Sequence, residues 1–189
     1  MRRLTIILVL FLALPLTAAA QNTTRLELFG GYTYTRIYNT NGDTAGSNGF
    51  TGDIAVYPLK WIGLVGDVGY GFSNGFVQSN GTSIFAPTHT LHYMGGPRVR
   101  FGRGRVTPYA EALFGAVHRS QLLTSEDTLL SNPQTAFAVL VAGGVDVKLA
   151  RHFSIRLIQA GYQGASFTSV GGARTTNNDI NLQTGFVIH

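Results

Sequence analysis

Two histidine–serine pairs carry the residue types of nucleophilic chemistry. His118 and Ser120 stand two apart with Glu126 further along, and His152 and Ser154 repeat the spacing. Side chains two apart on a strand face the same side. Either pair can therefore set an imidazole beside a hydroxyl, as a base that activates a serine would be. The competing reading is polar residues at strand ends, because a triad is recognised by geometry rather than by spacing. His89 and His92 are three apart, so they face opposite sides of a strand and make a poor metal pair. Arg98, Arg100, Arg103 and Arg105 form the densest basic cluster. No Gly-Lys-Ser/Thr follows the glycine-rich stretches, so they do not read as a phosphate loop. The chain has no cysteine, which excludes a disulfide scaffold, an iron–sulfur cluster and a thiolate zinc site, and also a lipid-bearing cysteine. No catalytic, metal or cofactor-binding residue is assigned.

The elements that would position these groups read as strands. Ile62, Leu64, Val68, Tyr70 and Phe72 share one face, against Gly63, Asp67, Gly69 and Gly71 on the other. Ile180, Leu182, Phe186 and Ile188 oppose Asp179, Asn181, Gln183 and Gly185, and Leu91, Tyr93, Val99 and Phe101 oppose His92, Arg98 and Arg100. This two-residue period is that of a sheet. Strands are expected near 25–38, 48–58, 61–73, 88–102, 105–118, 134–149, 152–164 and 177–189, with a phase slip near Ile158 that marks a bulge. Leu59-Lys60, Arg103-Gly104 and Ala150-Arg151 make short turns. They alternate with long polar loops over Asn39–Ser47, Asn74–Pro87, Arg119–Pro133 and Ala165–Thr176. Short turns at one end, long loops at the other and an even strand number describe an up-and-down meander of the kind found in outer-membrane barrels.

The N-terminal segment reads differently. Met1-Arg2-Arg3, the apolar run Leu4–Leu16 and Ala18-Ala19-Ala20 have the three-part pattern of a secretory signal, with cleavage expected after Ala20. The run is shorter than the roughly 20 residues a membrane-spanning helix needs. The expected organisation is a signal peptide over 1–20 and one barrel domain over 21–189. Losing the segment removes two of the 14 basic groups against nine acidic ones, so the formal charge falls from +5 to +3. A nucleic-acid partner loses its support.

Which face meets lipid is decided by several features together. Glu27, Asp53, Asp67, Arg98, Arg100, Glu111, Asp146, Lys148, Arg156 and Asp179 fall within strands. A charge on the lipid face costs up to about 2–4 kcal/mol near the midplane, so in a membrane these groups point inward. A soluble lipocalin-like barrel binding an apolar ligand would reverse the faces and keep the charges in water. Aromatic residues gather near strand ends (Tyr34, Tyr38, Phe50, Tyr57, Trp61, Tyr70, Phe72, Phe101, Tyr162 and Phe186), as interfacial girdles require. Inward glycines at 31, 63, 69, 71, 96 and 144 leave room for arginine side chains in a narrow lumen. The membrane reading is preferred. An eight-stranded barrel has an interior only wide enough for side chains, so six acids and four bases are expected to plug it as an ion-pair network.

The chain resembles the eight-stranded outer-membrane β-barrels related to the OmpA transmembrane domain and the opacity-type surface proteins. The likeness rests on Leu28-Phe29-Gly30-Gly31-Tyr32-Thr33-Tyr34, Gly95-Gly96-Pro97-Arg98-Val99-Arg100, Thr107-Pro108-Tyr109 with Leu113-Phe114-Gly115-Ala116, and Gly143-Gly144-Val145-Asp146-Val147. It implies an all-β, antiparallel up-and-down transmembrane barrel in a Gram-negative-type outer membrane, without catalytic residues. Its partners would be outer-membrane lipid and lipopolysaccharide, the barrel assembly machinery and an extracellular ligand held by the loops. Such barrels usually end on Phe or Trp, whereas this sequence ends Gly185-Phe186-Val187-Ile188-His189. The leading expectation is a structural or surface-interaction role. A second class, similar to outer-membrane lipid A deacylases with a His-x-Ser pair, is a lipid-modifying hydrolase using His118 and Ser120.

Overall fold

The computed structural model describes the backbone of residues 25–38, 44–79, 82–102, 104–125, 128–168 and 174–189. Side chains are described for 25–38, 46–73, 87–102, 104–120, 134–166 and 178–189. The signal segment expected over 1–20 lies outside these residues. Eight strands follow one another: β1 (Arg25–Tyr38), β2 (Thr44–Tyr57), β3 (Ile62–Ser79), β4 (Thr82–Arg100), β5 (Val106–Ser125), β6 (Thr128–Ala150), β7 (Phe153–Thr168) and β8 (Arg174–Ile188). Each pairs antiparallel with the next, and β1 pairs with β8, so the sheet closes on itself without an edge.

The strands run further than the apolar pattern reaches. Segments 74–87 and 119–133, expected as loops, are mostly paired strand. Asn74 through Ser79 face Pro87 through Thr82, and Ser120 through Ser125 face Pro133 through Thr128. A tilted strand crosses a bilayer in roughly 9–11 residues. Beyond that length neither face needs to be apolar, so alternation fades while backbone pairing continues. The short connections fall at the expected places, 58–61, 101–105 and 151–152, the first two longer than two residues; Arg103 of the expected Arg103-Gly104 turn lies outside the described residues. Arg100 N donates to Trp61 O (2.9 Å), Phe101 N to Pro108 O (2.8 Å) and Lys148 N to Arg105 O (2.8 Å). Gly102, at φ +116°, takes the left-handed conformation that the β4–β5 turn needs.

The two walls differ in chemistry. Phe50 (66% exposed), Val68, Tyr93, Phe137, Val141, Leu182 and Phe186 stand outward, while Glu27, Asp53, Asp67 (4% exposed), Glu111, Asp146 and Asp179 are buried inside. Inside, Ala55, Val65, Met94, Leu113, Val117, Ala138 and Leu140 form the apolar packing. The phase slip is a real bulge: the β7–β8 register shifts between Arg156 and Gln159. Leu157 and Ile158 both remain outside, while Arg156 and Gln159 both point inward. In a regular strand residues three apart face opposite sides; the bulge alone lets this pair meet.

Candidate functional site in the barrel interior

Two arginines organise the middle of the lumen. Arg98 on β4 is 1% exposed, and Arg156 on β7 is fully buried. Arg98 reaches Asp53 (Nη2 to Oδ2, 2.8 Å) and Glu111 (Nε to Oε2, 2.7 Å). Arg156 reaches the same Asp53 oxygen (Nη1, 2.8 Å) and Asp146 (Nε to Oδ1, 3.1 Å). Gln159 closes the ring, accepting from Arg156 Nη1 at 3.0 Å and donating to Glu111 Oε1 at 2.9 Å. Tyr109 donates its hydroxyl to Gln159 Oε1. Strands β2, β4, β5, β6 and β7 are thereby tied across the axis. Charge-assisted pairing this dense is the condition under which buried charge persists; among the atoms of the two guanidiniums, Arg156 Nη2 is the buried one left without a hydrogen-bond partner.

Aromatic rings complete the packing. The Arg98 and Arg156 guanidiniums lie 4.7 Å and 4.8 Å from the Tyr109 ring centroid, and Arg156 also sits 3.9 Å from that of Phe29. Arg100 stacks on Tyr57 at 4.9 Å. Tyr57, expected in the outer girdle, is buried in the lumen; its parity with Asp53 and Ala55 places it there. The inward glycines make room for these rings rather than directly for arginine. A Cβ at Gly144 would lie 2.5 Å from Tyr109 Oη, one at Gly63 2.7 Å from Tyr57, and one at Gly69 2.3 Å from His92.

Toward the loop end the pairing thins. His92 Nε2 lies 2.9 Å from Asp67 Oδ1, and Arg119 Nη2 lies 3.7 Å from Asp179 Oδ2. Thr33 donates to Thr51 (2.9 Å) and Asn181 to Gln163 (3.1 Å) around a cavity of about 30 Å³. Arg119 was expected in a loop; it belongs to β5 and points inward. Lys148 was expected among the inward bases. It is exposed at the turn end, beside a register shift between Lys148 and Ala150.

At the turn end a different serine–histidine pair forms. Ser154 Oγ is 2.7 Å from His189 Nε2, and His189 Nδ1 is 2.9 Å from Glu27 Oε1. The same Glu27 oxygen accepts from Arg100 Nη1 at 2.5 Å. The order serine–imidazole–carboxylate matches a triad, yet Ser154 is buried and Glu27 is already committed to an arginine. The arrangement fastens β7, β1 and the residue after β8 to one another. His152, expected as the partner of Ser154, is exposed in the turn and its carbonyl accepts from His189 N (3.1 Å). His118 faces the outer wall, where its Nδ1 and Thr135 Oγ1 share a hydrogen bond at 2.8 Å. Its expected acid, Glu126, lies outside the described residues. His89 turns outward to Tyr70 (2.7 Å) and His92 inward, opposite as their spacing requires.

The eight-stranded fold is shared with known membrane barrels. The structure resembles Ail of Yersinia pestis, the attachment invasion locus protein (TM-score 0.59, 17% identity, 86% of this chain and 97% of that one). It is also similar to Neisserial surface protein A (TM-score 0.58, 14% identity, 87% and 97%). OprG of Pseudomonas aeruginosa is a further relative in fold (TM-score 0.53, 12% identity, 86% and 94%). No curated protein sequence matches the chain. The profile described as outer membrane protein beta-barrel domain matches residues 5–187. With that match running nearly end to end, the chain belongs to the outer membrane protein β-barrel domain family and resides in the bacterial outer membrane.

Proposed function

We propose that this chain is a small, non-enzymatic outer-membrane barrel with a structural or surface-interaction role. Its lumen is closed by charged side chains, and the ends of its long hairpins are exposed outside the cell. Residues 1–20 are a signal peptide removed on export, leaving 21–189 as the barrel domain. Lipopolysaccharide and outer-membrane lipid cover the apolar wall, the barrel assembly machinery inserts it, and the hairpin ends hold an extracellular ligand. Ail has been solved with sucrose octasulfate, a heparin analogue; a sulfated glycan is the first class to try on the hairpins.

The observation that carries the closed-lumen reading is the meeting of Arg98 and Arg156 at Asp53, which joins three staves across the axis. The experiment is planar-bilayer recording of the refolded protein. Wild type should give no steady conductance steps, and Arg98→Ser/Arg156→Ser should admit ions. Stable wild-type steps at neutral pH and moderate salt would sink the reading. Amino-terminal sequencing of the membrane-inserted protein tests the cleavage: a first residue of Gln21 supports it, and retained Met1 contradicts it.

A further inference from the structure

The short-turn mouth of the barrel is unlike the neutralised middle. It holds a cavity of about 500 Å³, bordered by Arg25, Lys60, Arg100, Lys148, Arg151 and His189. Two side-chain carboxylates share the cavity wall, and each already has a cationic partner. Glu27 is taken by Arg100 (2.5 Å) and His189 (2.9 Å), and Asp146 by Arg156 (3.1 Å). Arg25, Lys60, Lys148 and Arg151 are exposed and have no ion-pair partner among the described residues. Four cations of like sign thus surround one concavity whose acids are spoken for. A low-dielectric wall lined by one sign of charge focuses the field and concentrates counter-ions.

We propose that this mouth is an anion-binding site for a phosphate-bearing ligand. Lysine ammonium and arginine guanidinium groups are the protein's usual phosphate donors, arginine through paired N–H bonds. Four positive charges match a multivalent anion better than a single carboxylate, and the volume lies within the range of small-molecule sites. The Ser154–His189–Glu27–Arg100 chain fixes one side of the rim, and the turns carrying Lys60 and Arg151 supply the other. A soluble di- or polyphosphate and a phospholipid headgroup offer the same chemistry.

The test uses the full chain refolded in a non-ionic detergent and titrated with inorganic pyrophosphate at fixed ionic strength. Binding heat is the first readout. The emission of Trp61, the only tryptophan in the sequence and the neighbour of Lys60, is the second. Saturable binding is expected, weakened about tenfold or more in Lys60→Gln/Lys148→Gln/Arg151→Gln, since several modest ion pairs are lost together. Arg36→Gln, at the opposite end of β1, should bind as wild type does. All three sites of the triple variant are exposed, and heat-modifiable gel mobility checks that it folds. In nanodiscs, loss of pyrophosphate binding when phosphatidylglycerol replaces phosphatidylcholine assigns the site to a headgroup, and undiminished binding assigns it to a soluble phosphate. No saturable binding by either readout, or a triple variant that binds like wild type, overturns the proposal.

Discussion

The middle of the lumen and its loop-end half are built from the same residue types but bonded very differently. In the middle, Asp53 accepts from two arginines, each arginine meets two carboxylates, and Gln159 links them, all at 2.7–3.3 Å. Toward the loops the contacts are spread out: His92 lies 2.9 Å from Asp67 and Arg119 3.7 Å from Asp179, and hydroxyls and amides fill the gaps. Charge buried in a dense network is costly to interrupt, because one lost partner strands the others. A charge in a looser, partly wet region has water as a substitute. The middle should therefore behave as one cooperative unit, and the loop end as a set of separable contacts.

Mutations can break or sharpen that contrast. Asp53→Ala removes the acid shared by Arg98 and Arg156 and leaves two buried guanidiniums short of a partner; a loss of about 3–5 kcal/mol is expected. It is read as a lowered urea midpoint for the heat-modifiable band in detergent, and an unchanged midpoint would mean the network is not a unit. Gly144→Val comes next. Its Cβ would sit 2.5 Å from the Tyr109 hydroxyl, and displacing that ring from between two arginines should cost about 1–3 kcal/mol by the same measurement. Adding Tyr109→Leu, which withdraws the ring carbons at 2.6 and 2.8 Å as well as the hydroxyl, should make the cost of Gly144→Val smaller than in the Tyr109 background, which a merely bad strand position would not allow. Arg119→Gln, by contrast, should cost about 1–2 kcal/mol, since its contact with the buried Asp179 is long at 3.7 Å and the amide keeps a donor there; a loss equal to that of Asp53→Ala would erase the distinction between the regions. The smallest effect belongs to His118→Ala, on the outer wall. Stability should move by less than about 0.5 kcal/mol, and the lipid A acylation pattern should stay the same; an altered pattern would revive a hydrolase.

Much of this interior could be read from parity alone. Asp53, Asp67, Glu111 and Asp179 alternate with apolar neighbours, so their side of the wall follows from period two. The slip near Ile158 pointed to the bulge because two successive apolar residues, Leu157 and Ile158, had to share the lipid face. Partner choice was another matter. Arg156 and Asp53 are 103 residues apart and meet only because the sheet closes β8 on β1; local pattern holds no record of that closure. Tyr57 escaped because it was counted with the lipid-facing aromatic rings, although parity with Asp53 places it inside; Phe29 and Tyr109, which share parity with Glu27 and Glu111, were assigned to neither face. Arg119 escaped for a different reason. Its segment has no alternation, since Leu122 and Leu123 are adjacent, as are Leu129 and Leu130, so nothing in the residues distinguishes a paired hairpin from a loop. The Ser154–His189 contact joins residues from opposite sides of the β7–β8 hairpin, beyond the reach of any two-residue spacing.

The central claim is that apolar side chains contact lipid while polar ones line a sealed interior. The absence of native cysteine permits a direct test by single-cysteine spin labelling. Labels placed one at a time at Ile180, Asn181, Leu182, Gln183 and Thr184 of β8 are probed in bilayers with oxygen, which partitions into lipid, and with a water-soluble nickel complex. High oxygen access at 180, 182 and 184, with low access to both agents at 181 and 183, is the expected result. Oxygen access at 181 and 183, or no alternation along the strand, would contradict the account.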